Sequence, residues 1–488
     1  MDDFYAVPME PLVVGFDLDM TLIDTVPGFT ATLEALGREL GVTFPTEEMT
    51  SRLGPPLEHL LRDHLAEDAV ASAGERFRSL YPDHAIACVP VFPGAHDALA
   101  AVRGHGGRVV LVTGKYAANA RLHVDHLGLE VDVLEGWVWG VGKADVLRRE
   151  GASVYVGDHV HDVEGALAAG VRSVSVLTGG CTRAELVGAG THVVLEDLTQ
   201  FPAWLDGHVL ERRLADLDRQ LRDLGSVLVA FSGGTDSAFL LAAAVRALGR
   251  DRVVAATAYS HALADGERGP ARDFAESLGV RLLTPETHEI DRPGYVANAA
   301  DRCFHCKAEL LDVLAPLADG LGLAAVATGT NADDARDPHR PGIRAATERG
   351  AVAPLRDAGL TKAQVRAASR AWALPTWDKP ATPCLSSRVA HGVAVTPARL
   401  ARVERAEVAV RRVLDEAGVP LRDLRVRDRG DHATVEVDPG LFGGPLVPGG
   451  ATAQRLLAAV VEAGFEAAVL DPVGFRSGAL NEGVPPPA

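Results

Sequence analysis

Val13-Val14-Gly15-Phe16-Asp17-Leu18-Asp19-Met20-Thr21 sets two aspartates directly after a short run of β-branched and aromatic residues. The run reads as a buried strand. Both carboxylates then emerge at its C-terminal edge, where open α/β sheets bind their ligands. In an extended segment, residues two apart share a side, and a turn after the strand can aim both at one point. One carboxylate there can attack phosphorus, while the other protonates the leaving oxygen and later activates water. A solvated acidic loop would have the same spacing, so the reading depends on what the rest of the chain supplies.

Working outward, the runs 108–114, 153–157, 171–176 and 191–195 alternate with helical stretches. That alternation predicts a parallel sheet with helices on both faces. A mostly helical stretch, about 24–90, is inserted after the first strand like a cap. Three more signals close or follow later strands. Thr113 offers a hydroxyl to a phosphoryl oxygen. Lys143 opens a helix and can neutralise charge. Asp158 and Asp162, four apart, suit an oxygen-ligated magnesium ion.

In this order, Asp17/Asp19, Thr113, Lys143 and Asp158/Asp162 resemble the four motifs of the haloacid-dehalogenase superfamily over about residues 10–200, and the insertion resembles the cap of its phosphoglycolate-phosphatase-like members. The resemblance implies a Rossmann-like sheet and an aspartyl phosphate formed on Asp17, with Asp19 as acid/base. It also implies magnesium held by Asp17, the Asp19 backbone carbonyl and Asp158, with Asp162 assisting. Met20 departs from the pattern, in which glycine is commoner.

The alternation breaks at 198–210, where a domain boundary is expected, and a charged helix follows. It restarts with 227–231, 253–259, 281–285 and 324–330. Ser232-Gly233-Gly234-Thr235-Asp236-Ser237 lies between a strand and a helix. Its glycines allow a tight turn that exposes N–H groups, and the helix N-terminus adds partial positive charge, together forming an anion cradle. No Gly-Lys-Ser/Thr follows, so it is not a Walker loop. The segment resembles the PP-loop of ATP pyrophosphatases, which cleave ATP to AMP and pyrophosphate. Thr330 and Asn331, after the last strand, are expected to touch the nucleotide, and Asp236 to bind magnesium.

Beyond residue 360 the pattern becomes a helix (361–372), a Pro-rich loop (375–397), a long helix (398–417), a hairpin (421–438) and a closing helix–strand unit. This reads as a small α+β module. Cys303 and Cys306 form a CxxC, and Cys384 lies 78 residues after Cys306. The spacing alone admits a redox disulfide, part of a zinc site with His391 as a further ligand, or three thiolates on a 4Fe–4S cluster with one iron left open. Cys88 and Cys181 read as ordinary thiols.

SGGTDS, DRCFHCK, GTNADD, HRPGIRAATERGAVAPL and WDKPATPCLSSR together resemble successive motifs of the LarE family over about 210–480. LarE proteins are ATP-dependent sulfur transferases of nickel-pincer nucleotide biosynthesis. The resemblance implies adenylation of a carboxylate of pyridinium-3,5-biscarboxylic acid mononucleotide and its conversion to a thiocarboxylate. Some members sacrifice the sulfur of one cysteine, at the position of Cys384. Others carry three cysteines and a 4Fe–4S cluster, as Cys303, Cys306 and Cys384 suggest here. Arg388, Arg425 and Arg427 are candidates to grip a phosphate or carboxylate, with Glu404, Glu407 and Asp438 lining the same pocket. The segment Arg336–Arg340 differs a little from the family pattern.

The expected layout is therefore a capped hydrolase domain at 1–205, a PP-loop domain at 210–360, the α+β module at 361–480 and a disordered tail at 481–488. At 488 residues the chain is long enough for two or three domains. A net charge of −18 disfavours a nucleic-acid surface and with it a transfer-RNA thiolase. An amide-forming synthetase would need an ammonia source, and no glutaminase segment is present. Intact DLDMT and SGGTDS argue against a degenerate nucleotide sensor. With no long apolar run and no basic leader, the expectation is a cytoplasmic enzyme acting on small molecules, namely a phosphorylated metabolite and the pyridinium mononucleotide. It would use Mg2+, ATP and a 4Fe–4S cluster, and a homo-oligomer is compatible with the sequence.

Overall fold

The computed structural model describes residues 11–51, 53, 56–337, 340–380, 382–447 and 449–476. The expected tail, 481–488, lies outside them, as do Pro338 and His339. The chain divides into two compact units between Val209 and Leu210.

In the first unit, β1 (Val13–Phe16), β2 (Arg108–Val112), β3 (Val133–Glu135), β4 (Val154–Gly157), β5 (Arg172–Val176) and β6 (Val193–Leu195) form one sheet in the order β3-β2-β1-β4-β5-β6. All its ladders are parallel. The central strands are buried on both faces and are correspondingly rich in valine. The chain crosses to opposite sides of β1, so the ends of β1, β2 and β4 converge on the switch point where ligands of such sheets bind. β3, which the sequence did not reveal, is a half-buried three-residue edge strand, too short to show a periodicity. The insertion folds as helices Val26–Leu40, Thr46–Ser51, Leu57–Arg62 and Glu67–His84. Their own core contains Phe29, Leu33, Leu36, Phe77 and Tyr81.

In the second unit, β7 (Val227–Ala230), β8 (Val253–Ala256), β9 (Arg281–Leu283) and β10 (Ala325–Thr328) form a parallel sheet in the order β10-β7-β8-β9. The helix Thr235–Leu248 is buried without a break from Ser237 to Ala244. β8, β9 and β10 end three, two and two residues earlier than their sequence runs suggest, because the residues after them leave the ladder for the loops at the sheet's C-terminal edge. The helix Lys362–Ala371, read from sequence as the start of the last module, packs Val365 and Ala368 with Leu355 and Leu360 onto this core. Its apolar side chains are few and small, and the large face they fit is the one left open by the helix Thr235–Leu248.

A separate core is built mainly from Leu385 onward, with Ala262 and Tyr295 joining it. It gathers the helix Pro397–Glu416, the hairpin β11 (Leu424–Asp428) and β12 (Ala433–Val437), the helix Ala451–Glu462 and β13 (Ala468–Leu470). β11–β12 is antiparallel and β12–β13 parallel, which is the mixed α+β arrangement expected.

Candidate active sites

At the end of β1, Asp17 is buried, and its amide donates to the Val156 carbonyl of β4 at 2.8 Å. Carboxylate oxygens of Asp17, Asp158 and Asp162 all lie within 4.8 Å of one another. Lys143 Nζ reaches into this group, donating to Asp162 Oδ1 at 2.6 Å, Asp17 Oδ1 at 2.8 Å and Tyr155 Oη at 2.8 Å. Burial pushes the Asp17 carboxyl up to about 7 against the pull of Lys143, with Asp162 and Asp19 pushing the same way. Burial, then Asp162 and Asp17, drive Asp158 well above the carboxylate range. For Lys143 burial favours the neutral amine, but the facing carboxylates outweigh it and hold the ammonium charged. Three acids against one lysine leave negative charge that a hard, oxygen-liganded cation would neutralise, so the donor set fits magnesium.

Asp19 sits differently. Burial would raise its carboxyl, but Lys115 Nζ at 2.5 Å and Thr25 Oγ1 at 2.5 Å hold it below the usual range. Thr113 Oγ1 lies 3.4 Å from the other oxygen. Lys115 was not singled out from sequence. Its place two residues after Thr113, at the same sheet edge, was the available signal. Met20 has φ +60°, which explains why glycine is the commoner choice there. Thr178 Oγ1 holds its carbonyl at 2.5 Å.

Gly179 packs directly on Asp158, and a Cβ at that position would overlap the carboxylate. Gly179→Ala is therefore expected to displace Asp158 and weaken magnesium binding by about ten- to a hundredfold. Calorimetric titration with Mg2+ against the parent chain checks this.

In the second unit, the loop Ser232–Ser237 is tied together by its own hydroxyls. Ser237 Oγ accepts from the Ser232 amide at 3.3 Å and donates to the Gly234 carbonyl at 3.1 Å. Two lysines not singled out from the sequence flank it. Lys379 Nζ donates to the Gly233 carbonyl at 3.0 Å and Glu267 at 2.6 Å, and Lys362 Nζ donates to Asp236 Oδ2 at 2.7 Å. Burial, ahead of the opposing Lys362, raises the Asp236 carboxyl. Its Oδ1 is buried without a hydrogen-bond partner, an acceptor suited to a cation. Thr330 Oγ1 lies 3.2 Å from Thr328 Oγ1. Asn331 Oδ1 is spent on the amides of Asp333 and Asp334 at 2.9 and 3.0 Å, so it shapes the loop rather than presenting a free acceptor.

The three cysteines come together from the start of the helix Arg302–Gly320 and from the loop before Leu385. Cys303 and Cys384 are exposed and Cys306 is half-buried. Burial pushes the Cys306 thiol up, and charge on nearby Cys384, Glu289 and Cys303 adds to it. Between them lies the buried Arg302. Its Nη1 donates to Asn298 Oδ1 at 2.6 Å and the Ser386 carbonyl at 2.8 Å, and its Nη2 points to Cys303 Sγ at 3.9 Å. Cys384 Sγ is 3.0 Å from Ser386 Oγ.

The arginines expected to grip substrate have partners within their own module. Arg388 forms a bidentate pair with Glu407 at 3.0 and 3.3 Å and donates to the carbonyls of Pro383 and Cys384. It thus clamps the cysteine loop. Arg427 forms a bidentate pair with Glu436 at 3.0 and 2.8 Å and holds the Ser387 carbonyl. Arg425 is buried beside both and is pushed down to about 10 by burial and by Arg388. Asp438 accepts from the amides of Arg422 and Asp423 and closes the hairpin, while Glu404 accepts from the Asp265 amide. Cys88 donates to the His84 carbonyl on the surface, and Cys181 is half-buried.

Comparison with known proteins agrees with both halves. The haloacid dehalogenase-like hydrolase profile matches residues 14–167, and a related hydrolase profile matches 143–201. A phosphoglycolate phosphatase of Rhodospirillum rubrum is 30% identical over 220 residues, 40% of this chain and 91% of that protein. An uncharacterized protein of Synechocystis sp. is 38% identical over 273 residues, covering 56% of this chain and 98% of the relative. Pyridinium-3,5-bisthiocarboxylic acid mononucleotide synthase of Lactiplantibacillus plantarum is 34% identical over 273 residues, 56% of this chain and 95% of that enzyme. Among the described residues no helix is long and apolar enough to cross a membrane. The chain is thus a haloacid dehalogenase-like hydrolase joined to a sulfur transferase, and it belongs through its larger part to the LarE family.

Proposed function

We propose that the first unit is a magnesium-dependent phosphatase acting through an aspartyl phosphate, and that the second converts a carboxylate of pyridinium-3,5-biscarboxylic acid mononucleotide to a thiocarboxylate at the expense of ATP. The observation that carries the first half is the buried constellation of Asp17, Asp158, Asp162 and Lys143. An Asp17 oxygen attacks phosphorus and the P–O bond to the alcohol breaks, with Asp19 delivering the proton to that oxygen. Asp19 then takes a proton from water, which attacks the aspartyl phosphate and releases inorganic phosphate. Lys143 keeps Asp17 oriented and offsets charge spread over the transferring group. Lys115 holds Asp19 ionised at rest, and a phosphate dianion competing for that ammonium lets Asp19 carry a proton. Magnesium, when bound by Asp17, Asp158 and Asp162, supplies charge neutralisation.

In the second unit the amides of Ser232–Ser237, at the start of the helix Thr235–Leu248, cradle the phosphates of ATP. The substrate carboxylate displaces pyrophosphate to give an acyl adenylate. A sulfur nucleophile then attacks the carbonyl and AMP leaves. Arg388 holds the Cys384 carbonyl, and Arg302 holds the Ser386 carbonyl and faces Cys303 Sγ. Cys303, Cys306 and Cys384 would hold a 4Fe–4S cluster, which supplies the sulfur when bound. One observation favours it: Arg302, with Nη2 3.9 Å from Cys303 Sγ and with Cys384 nearby, offsets negative charge on those two sulfurs.

Anaerobically purified chain is expected to be brown, with about four irons and matching sulfide. Colourless, iron-free protein that turns over repeatedly would refute the cluster. Loss of one sulfur from Cys384 per turnover, read as a mass decrease, would mark a sacrificial cysteine instead.

A further inference from the structure

The pocket that holds Asp17 and Asp19 also has a wall with no part in phosphoryl transfer. Tyr116, Trp137 and Trp139 line it. The Trp137 ring meets Tyr116 edge-on at 5.5 Å and Trp139 at 5.6 Å, with interplanar angles of 82° and 72°. Tyr116 and Trp137 are each 46% exposed, among the most accessible large apolar side chains of the unit. Burial therefore does not account for them.

Their placement is built. The Trp137 amide donates to the Lys115 carbonyl at 2.9 Å and the Val138 amide to the Thr113 carbonyl at 3.1 Å. The segment is thereby pinned onto the turn that carries the phosphate-binding residues. Gly114 leaves the space into which Trp139 packs, since a Cβ there would overlap the indole. Trp137 itself has φ +67°, a conformation that bulky residues rarely adopt and that persists where surrounding structure imposes it, most often at ligand clamps and active sites. From the cap, the guanidinium of Arg78 lies 4.6 Å from the Trp137 ring centroid and pairs with Glu58. The cap thus touches the same ring through Arg78.

An exposed indole held in a strained backbone, continuous with the nucleophile's pocket, is a surface for stacking against something planar. Resting on the phosphatase reading above, we infer that the preferred substrate is a phosphomonoester whose leaving alcohol carries an aromatic or heteroaromatic ring, seated against Trp137 and Tyr116. A mononucleotide has this chemistry and a two-carbon phosphate such as phosphoglycolate does not.

The test uses 2-phenylethyl phosphate and 2-cyclohexylethyl phosphate, which share phosphoryl chemistry and size and differ in the π face. The full chain with Mg2+ is expected to show kcat/KM about fivefold higher for the phenyl ester. Trp137→Ala should bring that ratio close to one, and Trp137→Phe should restore most of it. A ratio does not depend on how much of a variant is folded. Equal rates for the two esters in the parent chain, or a ratio unmoved by Trp137→Ala, would overturn the inference. Failure of the parent chain to release phosphate from either ester would sink the phosphatase reading. In that event calorimetric affinities of the same two esters for the parent chain still decide the wall: tighter phenyl binding supports it and equal binding overturns it.

Discussion

Asp17→Asn is expected to lower phosphate release by about four orders of magnitude or more, the scale on which removal of a nucleophile acts, while thiocarboxylate formation continues. The amide is nearly isosteric, so it keeps the fit at the end of β1, but it cannot attack phosphorus. The substitution also removes a carboxylate that burial and its acidic neighbours, against the pull of Lys143, drive up to about 7. The variant should accordingly melt no lower than the parent chain, and relief of strain of this kind is a common price of a catalytic site. Colorimetric phosphate release, with a thermal melt as control, checks both parts. Phosphatase turnover within tenfold of the parent would overturn the assignment of Asp17.

Cys384→Ser should abolish thiocarboxylate formation, by roughly three orders of magnitude or more, and leave substrate-dependent pyrophosphate release in place. Cys384 is exposed at the tip of a loop held from behind by Arg388 and, through the Ser386 carbonyl, by Arg302. Exchange of sulfur for oxygen leaves those bonds untouched. Mass spectrometry of the pyridinium product and a pyrophosphate assay read the two steps separately. Parallel loss of both would mean that Cys384 supports the fold of the ATP site. Retention of both would remove it from sulfur transfer.

Much of the site was legible before the fold. Asp17, Lys143, Asp158 and Asp162 lie at strand ends or helix starts, positions that periodicity locates, and the structure brings their charged atoms together. Lys115, Lys362 and Lys379 were not legible as site residues. Each is a lone lysine in a loop or first helical turn, and its partner is 96, 126 or 112 positions away. Apart from the WDKPATPCLSSR motif around Lys379, nothing local distinguishes such a lysine from a solvated one. Arg388 and Arg427 also have partners that the sequence did not reveal. Their motif context suggested ligand contact, and each pairs with a glutamate of its own module, since an arginine buried there without a partner would be too costly to keep.

Local sequence by itself determined the two parallel sheets, the cap, the glycine loop and the cysteine positions, because each is written in short-range periodicity, turn chemistry or spacing. Tertiary structure alone decided which charges meet and which side chains remain exposed. It set three acids against Lys143 and turned Arg388 inward to the Cys384 loop. It also held Trp137 at φ +67° on the rim of the Asp17 pocket. Charge pairing and backbone strain are settled between residues far apart in the chain, and only closure of the fold brings those residues within each other's reach.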